Sequence, residues 1–283
     1  MKPAAFDYLR PISLEDAVAQ CAQYGGDAKI LAGGQSLVPL LNFRLLRPSV
    51  LIDINRVHEL DYIRQEEGGL RVGALTRHHT LETAPLVAER FPLIAAAMAH
   101  VAHLAVRNRG SIGGSLSHAD PAAELPMLAV LLDAEIRTGW GKHIAQGFFR
   151  APLTTALAEG ELLTEIFFPV LAPGTGWGFE EFARRHGDFA LAAVAATLKR
   201  SGDTIGETRL AAAGVGEIPL RLSTVEAMLV GNPLTPELAR RAGQQASECV
   251  QPFSDLHASA DYRRHLVAAL TERALAAAWS RAG

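Results

Sequence analysis

Two stretches of the chain set bare backbone beside hydroxyl and amide side chains. One is Ala32-Gly33-Gly34-Gln35-Ser36, inside the apolar run LAGGQSLVPLL (31–41). The other is Gly110-Ser111-Ile112-Gly113-Gly114-Ser115. Glycine costs conformational entropy and packs nothing, so paired glycines within a greasy run imply a need for backbone without Cβ. Successive N–H groups in such turns form a concave nest for an anion, and a helix that follows adds positive potential. Two nests suit a ligand with two linked phosphates. Ordinary turns are the competing reading for either loop taken alone. Neither loop is GxxxxGK[ST] or GxGxxG, which disfavours a nucleoside triphosphatase or a Rossmann dinucleotide site.

Other side chains near these loops have two readings each. Arg107, Arg109 and Lys29 flank them and could meet phosphate, guanidinium being a good bidentate donor, or could be surface cations. Asp120-Pro121 reads as a helix start, and the same carboxylate could reach a cofactor hydroxyl. Pro126 sits awkwardly if that helix begins at Pro121, which moves the start toward Glu124. His100 and His103 share a helix face at i, i+3, a spacing that fits a metal pair or plain packing. No GxSxG elbow and no Cys–His nucleophile pair is present.

The elements that must position these residues follow from pattern. Residues 6–10 read as a strand; Ser13 caps a helix through Cys21 that Gly25-Gly26 ends; AKIL (28–31) and SVLIDI (49–54) read as buried strands. LDYIRQEEGGLRVGALT predicts a hairpin, PLIAAAMAHVAHLAV (92–106) one helix, 134–138 and 161–169 strands, and PGTGWG (173–178) a linker. Beyond it, a meander of strands and three helices read as a separate C-terminal domain. The expected division is 1–55, 56–176 and 177–283.

The chain has 283 residues, nearly half of them apolar, and a formal net charge of −3 with no strongly basic segment, which argues against nucleic acid as a partner. No apolar run reaches the roughly 18 residues of a spanning helix. The two cysteines, Cys21 and Cys249, are too few for an all-cysteine iron–sulfur cluster, which takes four thiolates. They also argue against a disulfide framework and for a reducing, cytoplasmic compartment, with attachment at most peripheral to the inner face of the membrane.

KILAGGQSLVPLLNFRLLRPSVLIDINRV, followed by RNRGSIGGSLSHADPAAELP, resembles the FAD-binding medium subunit of molybdenum hydroxylases, the group of aerobic carbon monoxide dehydrogenase and the xanthine dehydrogenase flavin domain. GALTRHHTLE, GELLTEIFFP and RRHGDFALAAVA extend the resemblance over essentially the whole chain. It implies an α+β protein: a vanillyl-alcohol-oxidase-type FAD-binding fold of two subdomains, plus a C-terminal domain with a small antiparallel sheet and helices. It places Ala32, Gly33, Gly34, Gln35 and Ser36 at a first pyrophosphate loop, with Lys29 and Leu37 beside it as candidates. Ser111, Ile112, Gly113, Gly114 and Ser115 fall at a second, which Gly110 adjoins. Val101 lies against the flavin, Glu124 matches a carboxylate contact and Leu163 a backbone contact, and Asp120 stays a candidate for a cofactor hydroxyl. Gln35 stands where a histidine is common, Ser111 where threonine is frequent, and Glu180 or Glu181 near a frequent lysine. The implied function is an electron-transfer subunit. Substrate is oxidised at a molybdenum cofactor on a large subunit, electrons cross [2Fe-2S] clusters on a small subunit to FAD here, and NAD, a quinone or oxygen removes them. A hetero-oligomer with two copies of each of three subunits is expected. The alternatives are a stand-alone FAD oxidoreductase of the same fold and a scaffold that has lost the flavin.

Overall fold

The computed structural model describes residues 1–283. At the N-terminus, β1 (Asp7–Leu9), α1 (Leu14–Tyr24), β2 (Ala28–Leu31), α2 (Leu37–Asn42) and β3 (Val50–Asp53) build a three-stranded parallel sheet in the order β1-β3-β2. The Ser13 hydroxyl accepts from the Asp16 amide at 3.1 Å and opens α1, while Gly25, at φ +48°, closes it. All four residues of β3 are buried, as the central strand of a parallel sheet requires.

A five-stranded antiparallel sheet follows. It uses β4 (Ile63–Glu66), β5 (Gly69–Gly73), β6 (Glu135–Thr138), β7 (Lys142–Ile144) and β10 (Leu163–Pro169), in the order β4-β5-β10-β6-β7. The hairpin β8 (Phe149–Ala151) and β9 (Thr154–Thr155) stands apart from it. Between β5 and β6 run six short helices: α3 (His78–Thr83), α4 (Pro85–Arg90), α5 (Pro92–Met98), α6 (Leu104–Arg107), α7 (Ile112–His118) and α8 (Glu124–Leu131). Every residue of α8 is buried.

The single helix expected over 92–106 is not formed. Helix α5 ends at Met98, Ala102 takes φ +45°, and α6 starts afresh at Leu104. The cause is tertiary. The buried Arg107 reaches back to donate to the carbonyls of Val101 and Ala102, at 3.0 Å each, while its Nε pairs with Glu82 at 2.8 Å. Those carbonyls are thereby held out of a helical ladder.

The C-terminal part contains β11 (Gly176–Phe182), β12 (Ala192–Ser201), β13 (Thr204–Ala213) and β14 (Leu220–Arg221) as an antiparallel sheet in chain order, followed by α9 (Ser223–Leu229), α10 (Pro236–Cys249) and α11 (Ala260–Arg281). Ala193 and Ala195 of β12 face the core around α8, whereas Ala192, Val194, Ala196 and Leu198 face the core under α10 and α11. Both faces of β12 are covered, which explains its unbroken apolar run in an antiparallel sheet.

The glycines of PGTGWG are not a linker. Gly176 and Gly178 lie in β11, and a Cβ on either would overlap a backbone carbonyl of α11, Ala278 or Ala274 respectively. The helix lies flush on the strand, so glycine marks close approach rather than chain flexibility. Replacing Gly178 by Val should therefore cost about 3 kcal/mol or more, as overpacking against immovable backbone does. Gly141→Ala, at an open position, should cost little. Urea midpoints of the two variants against the parent check this.

Candidate cofactor-binding site

The first glycine loop leaves the carboxyl end of β2, the end of a parallel sheet where ligands bind in open α/β folds. Gly33 is buried, and a Cβ there would overlap the Arg109 carbonyl oxygen and come within 2.8 Å of Gly110 Cα. The two loops, remote in sequence, are thus in backbone contact. Gly34 sits at φ +75°, a conformation glycine adopts without strain. The Gln35 side chain donates to Gly33 O at 3.1 Å and braces the turn from within. The first amides of α2 to find acceptors are those of Val38, to Gly34 O at 3.0 Å, and Leu40, to Ser36 O at 3.3 Å. The amides of Ala32, Gly33, Gly34, Gln35, Ser36 and Leu37 donate to no protein group, and Ser36 supplies no side-chain cap. Six consecutive unpaired donors in a partly buried turn are a large unmet hydrogen-bonding demand, which an anion would satisfy.

The second loop differs from expectation. It does open α7, but its amides are mostly taken within the protein. Gly110 N donates to Val106 O at 2.7 Å, Ile112 N to Thr76 O at 3.0 Å, and Gly113 N to Ala74 O at 2.9 Å. Gly114 N reaches the Ser111 hydroxyl at 3.3 Å, and Ser115 N the Ser111 carbonyl at 3.0 Å. It is not a second amide nest. Its glycines serve close approach: a Cβ on Gly113 would lie 2.6 Å from Ala74 Cβ, and one on Gly110 2.9 Å from the His78 ring. His78 is buried, and burial pushes its imidazole down to about 4, so it is neutral packing beneath the loop. Of the second loop's amides, that of Ser111 donates to no protein group, and the Ser115 hydroxyl has no hydrogen-bond partner in the protein.

The remaining expected residues divide. Lys29 is exposed on β2 and pairs with nothing; Leu37 is half-buried at the start of α2. Val101 is half-buried against the central core, with its carbonyl taken by Arg107. Arg107 itself is turned away to Glu82, whereas Arg109 is exposed and presents its carbonyl to the first loop. Asp120 is not the cap of α8. Its carboxylate accepts from the Ala122 amide at 2.9 Å in a local turn, and the helix begins at Glu124, behind Ala123. Pro126 then falls in the first turn, where its ring has no helical carbonyl to strike. Leu163 is buried at the start of β10. His100 and His103 do not share a helix: His100 packs on Phe179 at 5.0 Å, and His103 stacks on His186 at 6.4 Å.

Of the two acidic candidates on β11, Glu181 is the buried one, its side chain 4% exposed. One of its carboxylate oxygens has no partner, and His100 Nδ1 lies 3.9 Å from the other, on an imidazole whose protonation burial disfavours. Burial first, and then the charge of Glu124, raises Glu181 to about 8; burial raises Glu124 to about 7. Both carboxyls, one on β11 and one on α8, are thus pushed up from the ordinary glutamate range toward neutrality.

A network that pattern alone did not reveal ties the two loops together. Arg77 donates through Nη1 to Arg109 O at 2.6 Å and through Nη2 to Asn55 Oδ1 at 2.7 Å. Asn55 in turn donates to Ala32 O at 2.8 Å. An isolated antiparallel bridge pairs Arg77 with Ser111. Arg77 lies within GALTRHHTLE and Asn55 within LIDINRV, but neither stretch carries a mark of cross-loop bonding.

The carboxyl pair makes a pH prediction. Both folded values lie above the ordinary glutamate value, so the folded state binds more protons than the unfolded one. The associated stability is complete at acid pH and is lost as pH rises through the folded values of about 7 and about 8. Glu181→Gln should flatten this decline, matching the parent near pH ~5 and exceeding it above neutrality by about 2 kcal/mol. Urea unfolding at the two pH values measures it.

Comparison with known proteins bears directly on this site. Residues 4–171 match the family model described as the FAD binding domain in molybdopterin dehydrogenase, and residues 177–278 that of the CO dehydrogenase flavoprotein C-terminal domain. The chain is 41% identical to the 6-hydroxypseudooxynicotine dehydrogenase complex subunit alpha of Paenarthrobacter nicotinovorans, covering 100% of this chain and 97% of the relative. It is 40% identical to the caffeine dehydrogenase subunit beta of a Pseudomonas species, over 99% and 97% of the two chains. Carbon monoxide dehydrogenase from Hydrogenophaga pseudoflava superposes with a TM-score of 0.96 over the whole of both chains at 39% identity. The α+β architecture, with a flavin-binding part and a C-terminal antiparallel sheet under helices, is therefore the one these proteins share, and the chain belongs to the FAD-binding medium-subunit family of the molybdenum hydroxylases.

Proposed function

We propose that this chain is the flavin-bearing electron-transfer subunit of a molybdenum hydroxylase complex. The observation that carries the reading is the run of six unpaired amides from Ala32 to Leu37, held against the second loop through Gly33. Those amides, with the Ser111 amide and the Ser115 hydroxyl, would hold the FAD diphosphate. Gln35, Val101, Asp120, Glu124 and Leu163 would line the rest of the cofactor. Bound FAD supplies the exchange of electrons, and the protein binds, orients and tunes it. Within this site the buried Glu124–Glu181 pair is the group able to hold or release a proton.

Cys21 is buried and Cys249 partly so, and no disulfide joins them. In this reading the [2Fe-2S] clusters and the molybdenum cofactor lie on a small and a large partner subunit, and NAD, a quinone or oxygen is the final acceptor. The relatives support such a division of labour. The compounds in their names, 6-hydroxypseudooxynicotine, caffeine and carbon monoxide, differ widely while the chains align end to end. Residues 1–55 and 56–176 would clasp FAD between them, with 177–283 as the C-terminal domain. No helix is long and apolar enough to cross a membrane, and a cytoplasmic site of action fits the free thiols.

Affinity purification of the full chain from its native host should recover a flavin absorption spectrum together with two co-purifying subunits. Gly33→Val and Gly113→Val should both lose the flavin, the first by forcing the loops apart and the second by displacing the second loop from Ala74. Circular dichroism separates this from unfolding. Flavin without partner chains would leave a stand-alone oxidoreductase; undiminished flavin in both variants would overturn the loop assignment.

A further inference from the structure

The loop-bridging network contains an arginine placed differently from the other buried cations. Arg77 is half-buried, yet it forms no ion pair. Its two observed acceptors are neutral, the Arg109 carbonyl and the Asn55 side-chain amide. The charge nearest in effect is another cation, Arg109, opposed more weakly by Asp61 and Asp53. The acid that could have neutralised it is engaged elsewhere. Asp53 is buried and accepts from the Tyr8 hydroxyl, from the Asn55 amide at 2.9 Å and from Asn55 Nδ2 at 2.6 Å, with Arg10 at 3.6 Å. Asn55 therefore stands between Asp53 and Arg77 as a neutral spacer, bonded to both. By contrast, Arg107, just N-terminal to the second loop, is neutralised by Glu82 at 2.8 Å.

Leaving a half-buried guanidinium unpaired beside a second arginine is costly, and an anion at the shared loop contact relieves that cost. We propose that Arg77 is both the clasp and the counter-charge of the diphosphate site: it fixes the second loop through Arg109 O and the first through Asn55, and its unneutralised charge favours the dianionic linkage over a neutral ligand. This rests on the function proposed above. Arg77 is a positioning residue whose charge also acts through space, so its removal has two separable consequences.

Fluorescence titration of the flavin-stripped full chain with FAD and with riboflavin, which shares the ring but lacks phosphate, distinguishes them. In wild type, FAD affinity should fall as NaCl rises from ~50 to ~300 mM, as for a screened ion contact. Arg77→Gln should weaken FAD by about tenfold or more and flatten the salt dependence, leaving riboflavin unchanged. Arg77→Lys, which keeps the charge but cannot span two acceptors, should retain the salt dependence with intermediate affinity. Asn55→Asp, which keeps an acceptor for Arg77 but neutralises it, should lower FAD affinity in the direction of Arg77→Gln. Equal loss of FAD and riboflavin in Arg77→Gln, or an unaltered salt dependence, overturns the counter-charge. A wild-type chain that takes up no FAD overturns the proposed function and this inference together; wild-type uptake with an indistinguishable Arg77→Gln overturns this inference alone.

Discussion

The rest of the site depends on one steric fact: the backbone at Gly33 touches the backbone at Arg109 and Gly110. That contact brings the carboxyl edge of a parallel sheet against a loop from the antiparallel part. It also explains why the first loop is poor in internal hydrogen bonds. A chain that must lie flat on another chain cannot also fold back on itself to use its own donors, so the amides from Ala32 to Leu37 are left over. The second loop reaches the same contact by the opposite route, with every amide but that of Ser111 taken within the protein, by Val106, Ser111 and residues 74–76.

Charge is arranged around this contact with a consistent logic. At the loops, Asp53 is consumed by Tyr8 and Asn55, and Arg77 stays cationic. In the interior, on α8 and β11, the reverse holds: Glu124 and Glu181 pair with no lysine or arginine, and desolvation pushes both carboxyls up toward neutrality. A buried carboxyl held near neutrality can donate a hydrogen bond as well as accept one.

Long-range support for both regions comes from the sheet at the C-terminal end. Strands β12 and β13 present alanines to α8 on one face and a mixture of alanine, valine, leucine and isoleucine to α10 and α11 on the other. Because β11 is pressed against α11 at Gly176 and Gly178, the position of Glu181 on that strand is tied to the C-terminal helix. The C-terminal residues thus act on the site through packing, with no side chain of α11 needed at the loops.

Much of this was legible in one dimension. Helix α1 with its Ser13 cap, the strands around residues 28–31 and 49–54, the hairpin turning between Glu66 and Gly69 and the three late helices all follow from periodicity and capping, which are local interactions. Two loops needing bare backbone, and too few thiols for a cluster, were also readable from residue types alone. What the tertiary structure decided is where local preference met a distant partner: Arg107 breaking the helix expected over 92–106, α11 turning a glycine run into a strand, Ala74 and Thr76 consuming the amides of the second loop, and Asn55 joining Arg77 to Ala32. A glycine shows that something comes close, but it carries no side chain to say what. Only the folded chain supplies the neighbour, and with it the difference between a nest, a close contact and a linker.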